Sequence, residues 1–491
     1  MLWYLLLAAV YSSKLGNVIT DPRAFQINIA TSDDNRTYNK SDEFTVGSVF
    51  YLSNSTSNLS NLAGIQEAEA LRCAVENLGD PVFYNIQDSF GDVSKALRQG
   101  LDQSSTVFAG IGPSNPADAL DMAALYSDLD IPLISYSATN TFFGNSTGNE
   151  TFFRLIGNDS VTMKGITNLM KDLDFTLVSA LFSDDDAGQS GNTAFRTQAN
   201  EQLLTLTCTA FISVQDDLTG RLNGQINCLS NSQANVVFLF MDQPLAAQVL
   251  EEFSKSDALQ DLLFIGVDRW ANFYNFERFS QNLFPGSYLE GSLSLLPKQF
   301  TSQTFEDCFR RLNPFNTTYN AFRLFWQEFF KCSLENSQLP FCSPNISRRK
   351  LVLDQNYDCK CNGQENISDV PIIGRVSYVE DAVALLVRAL DSIQNNCQNY
   401  FSAEKCNEST FTGSDLAFVL RNTALQGKTG RIQFDDTEER IGTEYEVFQA
   451  NANGEFVKIG EWNSLFNSSQ LETENLRYKN NEKPISSKFS F

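Results

Sequence analysis

Residues Val107 to Thr139 read VFAGIGPSNPADALDMAALYSDLDIPLISYSAT. This stretch decides the fold, because it spells strand, turn, helix and strand in one unit. The apolar run Val107–Ile111 ends in Gly112-Pro113-Ser114-Asn115-Pro116, where Asn115 is suited to cap a helix and Pro116 to the first turn, which needs no N–H. Ala119, Leu120, Ala123 and Ala124 recur at helical spacing and give that helix one apolar face to lay on a sheet. Pro132 to Tyr136 then forms a second strand, ending in Ser137-Ala138-Thr139. The two strands are expected to be parallel neighbours, and open α/β sheets bind ligands in the crevice beyond such carboxyl ends.

The alternation extends outward. Upstream, Phe25–Ala30 alternates like an opening strand, and a polar loop rich in glycosylation motifs runs to about Asn61. Gly64–Leu78 and Asp92–Leu101 read as helices and Val82–Ile86 as a strand. Downstream, past a boundary near Arg154, Val161–Leu173 is helical, and Leu177–Phe182 is a strand leading through the polar turn Ser183–Gly188 into another helix. Val236–Met241 and Leu262–Val267 read as buried strands around the helix Pro244–Phe253. Ser292–Pro297 looks like a return crossing, followed by helices near Thr304–Leu312, Phe322–Phe330 and Val379–Ile393. Gly430–Asp436 and a Tyr445–Ile459 hairpin turning at Asn453-Gly454 close the fold, and the polar segment Leu465–Phe491 is expected to be disordered. The fold class is α/β, with two doubly wound parallel-sheet lobes.

Composition narrows the function. A chain of 491 residues with 42% hydrophobic content is long enough for two cores. A net charge of −23 argues against nucleic acid and anionic lipid, which need a basic face to release counterions. No histidine is present, which removes Ser-His-Asp and Cys-His nucleophiles, imidazole metal sites and the usual base near neutral pH. Carboxylate-only chemistry remains open, but no spacing singles out a pair among the 59 acidic residues, so the chain is not expected to be an enzyme. Residues 1–19 carry a short apolar run suited to a signal peptide. Asn-X-Ser/Thr motifs stand at Asn35, Asn39, Asn54, Asn58, Asn145, Asn149, Asn158, Asn316, Asn345, Asn366, Asn407 and Asn467, which places the chain in the secretory route. The ten cysteines then read mostly as disulfides, without the spacing of a structural zinc site. Cys397 and Cys406 are close in sequence and are expected to pair.

Gly112-Pro113, the run IPLISYSAT, Phe153-Arg154 with Asn158-Asp159-Ser160, Gly188-Gln189-Ser190-Gly191, Ile265 to Ala271 (IGVDRWA), Phe325-Trp326 and the ending Gly454 to Trp462 occur in one order. Together they resemble the Venus-flytrap ectodomain of class C G-protein-coupled receptors, such as the metabotropic glutamate receptors. The likeness covers roughly residues 24 to 462. It implies two type-I periplasmic-binding-protein lobes around a hinged cleft, with the chain crossing three times and ligand closing the lobes. Lobe 1 would be 24–154 with 297–440, and lobe 2 would be 155–296 with 441–462.

The resemblance also implies residue roles. Ser137, the backbone of Ala138 and Thr139 fall where the family grips the ligand α-carboxylate, and Asp159 and Asp268 where it accepts the α-ammonium. A second carboxylate-binding serine of the family is replaced by Pro116, with Ser114 the nearest substitute. Ala187 stands where the family places an aromatic over the ligand. Glu67 and Asp415 stand where the family holds a glutamate side chain with basic residues. Two carboxylates there would repel a γ-carboxylate, so the expected ligand is an amino acid or small amine other than glutamate. For disulfides the resemblance implies Cys332–Cys361, with Cys342–Cys359 left beside it. The family partner of Cys208 lies in a cysteine-rich module that does not follow Trp462, so Cys208–Cys228 is expected, while Cys73 and Cys308 stay unassigned. The lobe-1 cysteine pair usual in the family is absent, Phe90 standing at one of its positions. No cofactor is expected. The chain is expected outside the cell, secreted or as a receptor ectodomain that meets the membrane only through a missing region or a partner, and dimeric through lobe 1. The alternative is a degenerate flytrap serving only dimerisation or adhesion.

Overall fold

Phe44–Phe50 (β1) is the first strand of a five-stranded sheet and is buried along nearly its whole length. The computed structural model describes residues 37–39, 44–54, 60–78, 82–114, 116–139, 151–213, 218, 220–268, 270, 285–315, 320–335, 338–342, 359–408, 410–472, 474 and 476–478. The leader at 1–19 and the strand expected at Phe25–Ala30 lie outside them. β1 sits inside the segment read from sequence as a polar loop. It escaped that reading because a central strand is covered on both faces and so does not alternate.

The chain continues through α1 (Leu62–Glu76), β2 (Val82–Asp88), α2 (Val93–Gln103), β3 (Ala109–Ile111), α3 (Pro116–Asp128), β4 (Leu133–Ser135) and β5 (Phe152–Arg154). All five strands are parallel, in the order β2-β1-β3-β4-β5. Parallel strands need covering on both sides. Here α2 and α3 cover one face through Ala96, Met122, Ala123 and Tyr126, and α1 belongs to the core on the other through Ile65, Ala68 and Leu71.

The second sheet repeats the plan. α4 (Asp159–Asp172), β6 (Leu177–Ser183), α5 (Asp186–Glu201), β7 (Thr205–Ile212), α6 (Asn223–Asn231), β8 (Val236–Phe240), α7 (Gln243–Ser254), β9 (Leu263–Val267) and β10 (Leu293–Pro297) follow in turn. The parallel part takes the order β7-β6-β8-β9-β10, again with the second strand outside the first. Ser292–Pro297 is therefore not a crossing but the last parallel strand, and the crossing begins at Lys298. β7, which sequence reading passed over, is a half-covered edge strand whose apolar alternation is weak.

Helices α8 (Gln303–Phe309), α9 (Asn320–Phe330), α10 (Val376–Asn395) and α11 (Gly413–Arg421) return to the core of the first sheet, with Phe305, Phe322, Trp326, Val379, Leu386 and Leu416 buried there. Gly430–Ile432, read as part of a closing strand, instead pairs with Leu425–Gly427 in a separate ribbon. β11 (Glu444–Ala450) and β12 (Phe456–Asn463) extend the second sheet antiparallel, and their turn uses Gly454 at φ +81°. β13 (Ser468–Leu471) pairs with β12. This corrects the expected disorder as far as Tyr478: Leu471, Leu476 and Tyr478 pack on the second core, so a stretch polar in composition is ordered by a few apolar contacts, and residues 479–491 lie outside the described residues.

The chain passes between the sheets after Arg154, after Pro297 and before Glu444. The passages are tied together. Arg154 N–H donates to the Glu438 carbonyl at 3.2 Å, and the buried Arg154 guanidinium pairs with Glu439 at 2.6 Å. Arg440 donates to the Leu155 carbonyl at 3.1 Å, Lys298 N–H to the Glu444 carbonyl at 3.0 Å, and the Tyr378 hydroxyl to the Lys298 carbonyl at 3.1 Å.

Disulfides join Cys332–Cys361, Cys342–Cys359, Cys397–Cys406 and Cys208–Cys228 as expected, and Cys73 in α1 bonds to Cys308 in α8. Among the described residues, no helix is long and apolar enough to cross a membrane.

Candidate functional site

The order β2-β1-β3-β4-β5 reverses between β1 and β3, and in such sheets the crevice opens beyond the carboxyl ends at that point. Gly112, at φ +93°, turns the chain out of β3 there, a left-handed conformation that costs glycine no Cβ clash. It delivers Ser114. The end of β4 delivers Tyr136, Ser137, Ala138 and Thr139, and α1 places Glu67 beneath them with no exposed surface. Arg375 stands at the N-cap of α10.

These side chains meet. The Tyr136 hydroxyl donates to Glu67 Oε2 at 2.9 Å, Glu67 Oε1 is buried without a hydrogen-bond partner among the described residues, and the Ser114 side chain lies close enough to favour the charged carboxylate. Burial pushes the Glu67 carboxyl above its ordinary range, while the Arg375 charge, Tyr136 and Ser114 pull it back. Burial and the neighbouring Glu67 hold the Tyr136 phenol well above its usual value. Arg375 Nη2 reaches Asp268 Oδ2 at 2.5 Å. Asp268 follows β9 of the second sheet and α10 packs on the first, so this pair joins the two. The Asp268 charge is the main reason the Arg375 guanidinium is raised, with Glu67 adding to it against the cost of burial.

The predicted carboxylate grip is largely engaged within its own loop. Ser137 Oγ donates to the Ser114 carbonyl at 3.0 Å, and Ala138 N–H donates to Ser135 Oγ at 3.1 Å. The Thr139 carbonyl accepts from Asp159 N–H at 2.6 Å, and the rest of Thr139 is half-exposed. Asp159 opens α4, is buried, and lies close enough to Arg154 for its charge to favour that guanidinium. Both expected ammonium acceptors thus have an arginine nearby in the chain itself.

The distal residues separate. Ala187 is half-buried in the first turn of α5, where the second sheet reverses between β6 and β8. Asp415 sits in α11, where its carboxylate accepts from Thr412 N–H at 2.8 Å in a capping box and pairs with Lys405 at 3.0 Å. That is a structural job. Pro116 does begin α3.

Sequence reading missed Arg375. One signal was available: a cation at a helix N-terminus opposes the helix dipole, so an arginine directly before a 20-residue helix asks for an outside partner. Tyr136 lay inside the quoted stretch but read only as a strand residue, because nothing local shows that a carboxylate lies under its hydroxyl.

The profile of a family described as Receptor family ligand binding region matches residues 69–453. Metabotropic glutamate receptor 8 of Homo sapiens is 25% identical over 435 residues, covering 85% of this chain and 42% of the relative. Metabotropic glutamate receptor 6 of Oryctolagus cuniculus is 26% identical over 369 residues (72% and 40%), and metabotropic glutamate receptor 4 of Mus musculus 22% over 371 residues (74% and 39%). The chain therefore spans about two fifths of the length of these curated relatives.

Proposed function

This chain belongs to the receptor ligand-binding-region family, and from that premise we propose that it closes around an amino acid or small amine other than glutamate. It is a class C receptor-type ligand-binding ectodomain. The proposed lobes are 37–154 with 298–440 and 155–297 with 441–478, and the action is binding without turnover, outside the cell, in a dimer formed through lobe 1.

The observation that carries this reading is the charge balance at the cleft. Glu67 and Asp268 bring two carboxylates to one guanidinium, Arg375. A ligand with an ammonium group adds the missing positive charge, whereas a second acidic group would have to draw Arg375 from partners it already has. Asp268 and Asp159 are the proposed ammonium acceptors, and Thr139, with Ser114, Ser137 and the Ala138 backbone, the proposed carboxylate contacts. Of the expected distal pair only Glu67 is kept in the proposed site, since Asp415 caps a helix.

The test is a thermal-shift and calorimetric screen of the full chain against the twenty common L-amino acids, agmatine and putrescine. At 100 times the dissociation constant a ligand adds roughly 2.7 kcal/mol of stability. Asp268→Asn is expected to remove most of that gain and Thr139→Ala to reduce it. Glutamate binding best would overturn the reading. The second reading, a dimerising or adhesive flytrap without small ligand, is favoured by the internal engagement of Ser137 and Ala138, and it takes over if no compound in the panel binds.

A further inference from the structure

The ion pair between Arg375 and Asp268 is a direct charged contact between an element of the first core and the loop after β9 of the second sheet. We propose that Arg375 acts as an internal ligand: its guanidinium occupies on Asp268 the place of a ligand's ammonium and holds the cleft closed when no ligand is present.

Three observations carry this. The Arg375 guanidinium donates directly to the Asp268 carboxylate, a charge-assisted hydrogen bond between a planar donor and an acceptor. Arg375 is also backed from behind. Glu67, without exposed surface and itself held by Tyr136 at 2.9 Å, places a second negative charge near the guanidinium, so the arginine is aimed from the first sheet toward the second. Finally, Arg375 stands at the N-cap of α10, where the helix dipole disfavours a cation, so its placement has to be supported by these carboxylates.

The consequence is an exchange. A ligand ammonium arriving at Asp268 competes with Arg375 for one carboxylate, so it adds closure energy only beyond what the arginine already supplies. This refinement rests on the reading of Asp268 as the ammonium acceptor, whereas the latch itself is testable without any ligand.

Small-angle X-ray scattering of the full ligand-free chain reads the latch. Wild type is expected to be compact at low salt and to expand in 1 M NaCl, because a partly exposed pair is screened. Arg375→Gln and Asp268→Asn are each expected to expand the chain, and Arg375→Lys, which keeps the positive charge against Asp268, to stay nearer the compact value than Arg375→Gln. Intact disulfides by non-reducing peptide mapping establish that each variant has folded, and the salt series on wild type gives the answer for any that has not. Scattering unchanged by salt in wild type, or by both single substitutions, overturns the latch. The exchange is read by calorimetry with L-lysine and putrescine: Arg375→Gln is expected to bind at least fivefold tighter than wild type, and equal or weaker binding overturns it. Absence of binding to both proteins counts against the exchange and the proposed function while the scattering still decides the latch.

Discussion

Asn158 holds the start of α4 with one side chain. Its Oδ1 accepts from Val161 N–H at 3.1 Å, and the same side chain lies beside Glu439 at the hinge, where it favours the charged carboxylate. It is also a glycosylation motif, but a sugar on its nitrogen would break the contact with Glu439 and enter a packed crossing. Glycopeptide mass spectrometry is expected to find Asn158 unmodified and the exposed Asn467 occupied; high occupancy at Asn158 would contradict the hinge as described. Asn158→Ala is expected to cost about 0.5–2 kcal/mol in chemical denaturation, the range for a lost cap. Local sequence made this cap legible, since an Asn followed by an acidic residue and a helical period marks a helix start. The partner across the hinge, 281 positions away in the chain by residue number, was not.

At the scale of elements, the first turn of α3 buries Asp118, whose two oxygens have no hydrogen-bond partner among the described residues. Burial, with the charges of Asp121 and Asp92, pushes its carboxyl up to about 6. The folded pKa lies above the unfolded value, so its contribution is fully present below about pH 4 and is lost as pH rises through about 6. Ionised Asp118 therefore costs on the order of 2–3 kcal/mol at pH 7.5. Asp118→Asn is expected to flatten the fall in urea-unfolding free energy between about pH 4 and pH 6.5; an unchanged slope would show that another group carries it. The Cys73–Cys308 bond staples α1 to α8 across 235 residues. Replacing both cysteines by serine is expected to lower the unfolding free energy by about 2–5 kcal/mol, measured by guanidinium titration. Spacing could not pair these two, because each faces the other only after both helices have packed on the first sheet.

For the whole molecule, the crossings behave as one buried unit. Burial lowers the Arg154 guanidinium and raises the Glu439 carboxyl, and each restores the charged form of the other. Removing one partner strands the second, so Arg154→Met is expected to cost about 3–5 kcal/mol. Arg154→Met with Glu439→Gln should recover part of it in the same denaturation assay. A double variant no better than the single would mean that packing, not charge, holds the hinge. This pair ties two of the passages together, whereas Arg375 and Asp268 join α10, packed on the first sheet, to the loop after β9 of the second.

By itself the sequence determined the α/β class, the strand-turn-helix-strand unit around Gly112 and, by proximity, the Cys397–Cys406 bond, while the resemblance implied Cys332–Cys361, Cys342–Cys359 and Cys208–Cys228. Those features depend on periodicity, caps and motifs that recur in one order along the chain. Only the tertiary structure decided that Phe44–Phe50 is a central strand, since burial on both faces erases alternation. Only it decided which charges meet. Glu67, Tyr136, Asp268 and Arg375 come from four distant segments, and a carboxylate's partner is set by where the sheets deliver it, not by its neighbours in sequence. Asp415 shows the converse: its own capping box, three residues wide and local, settled its role.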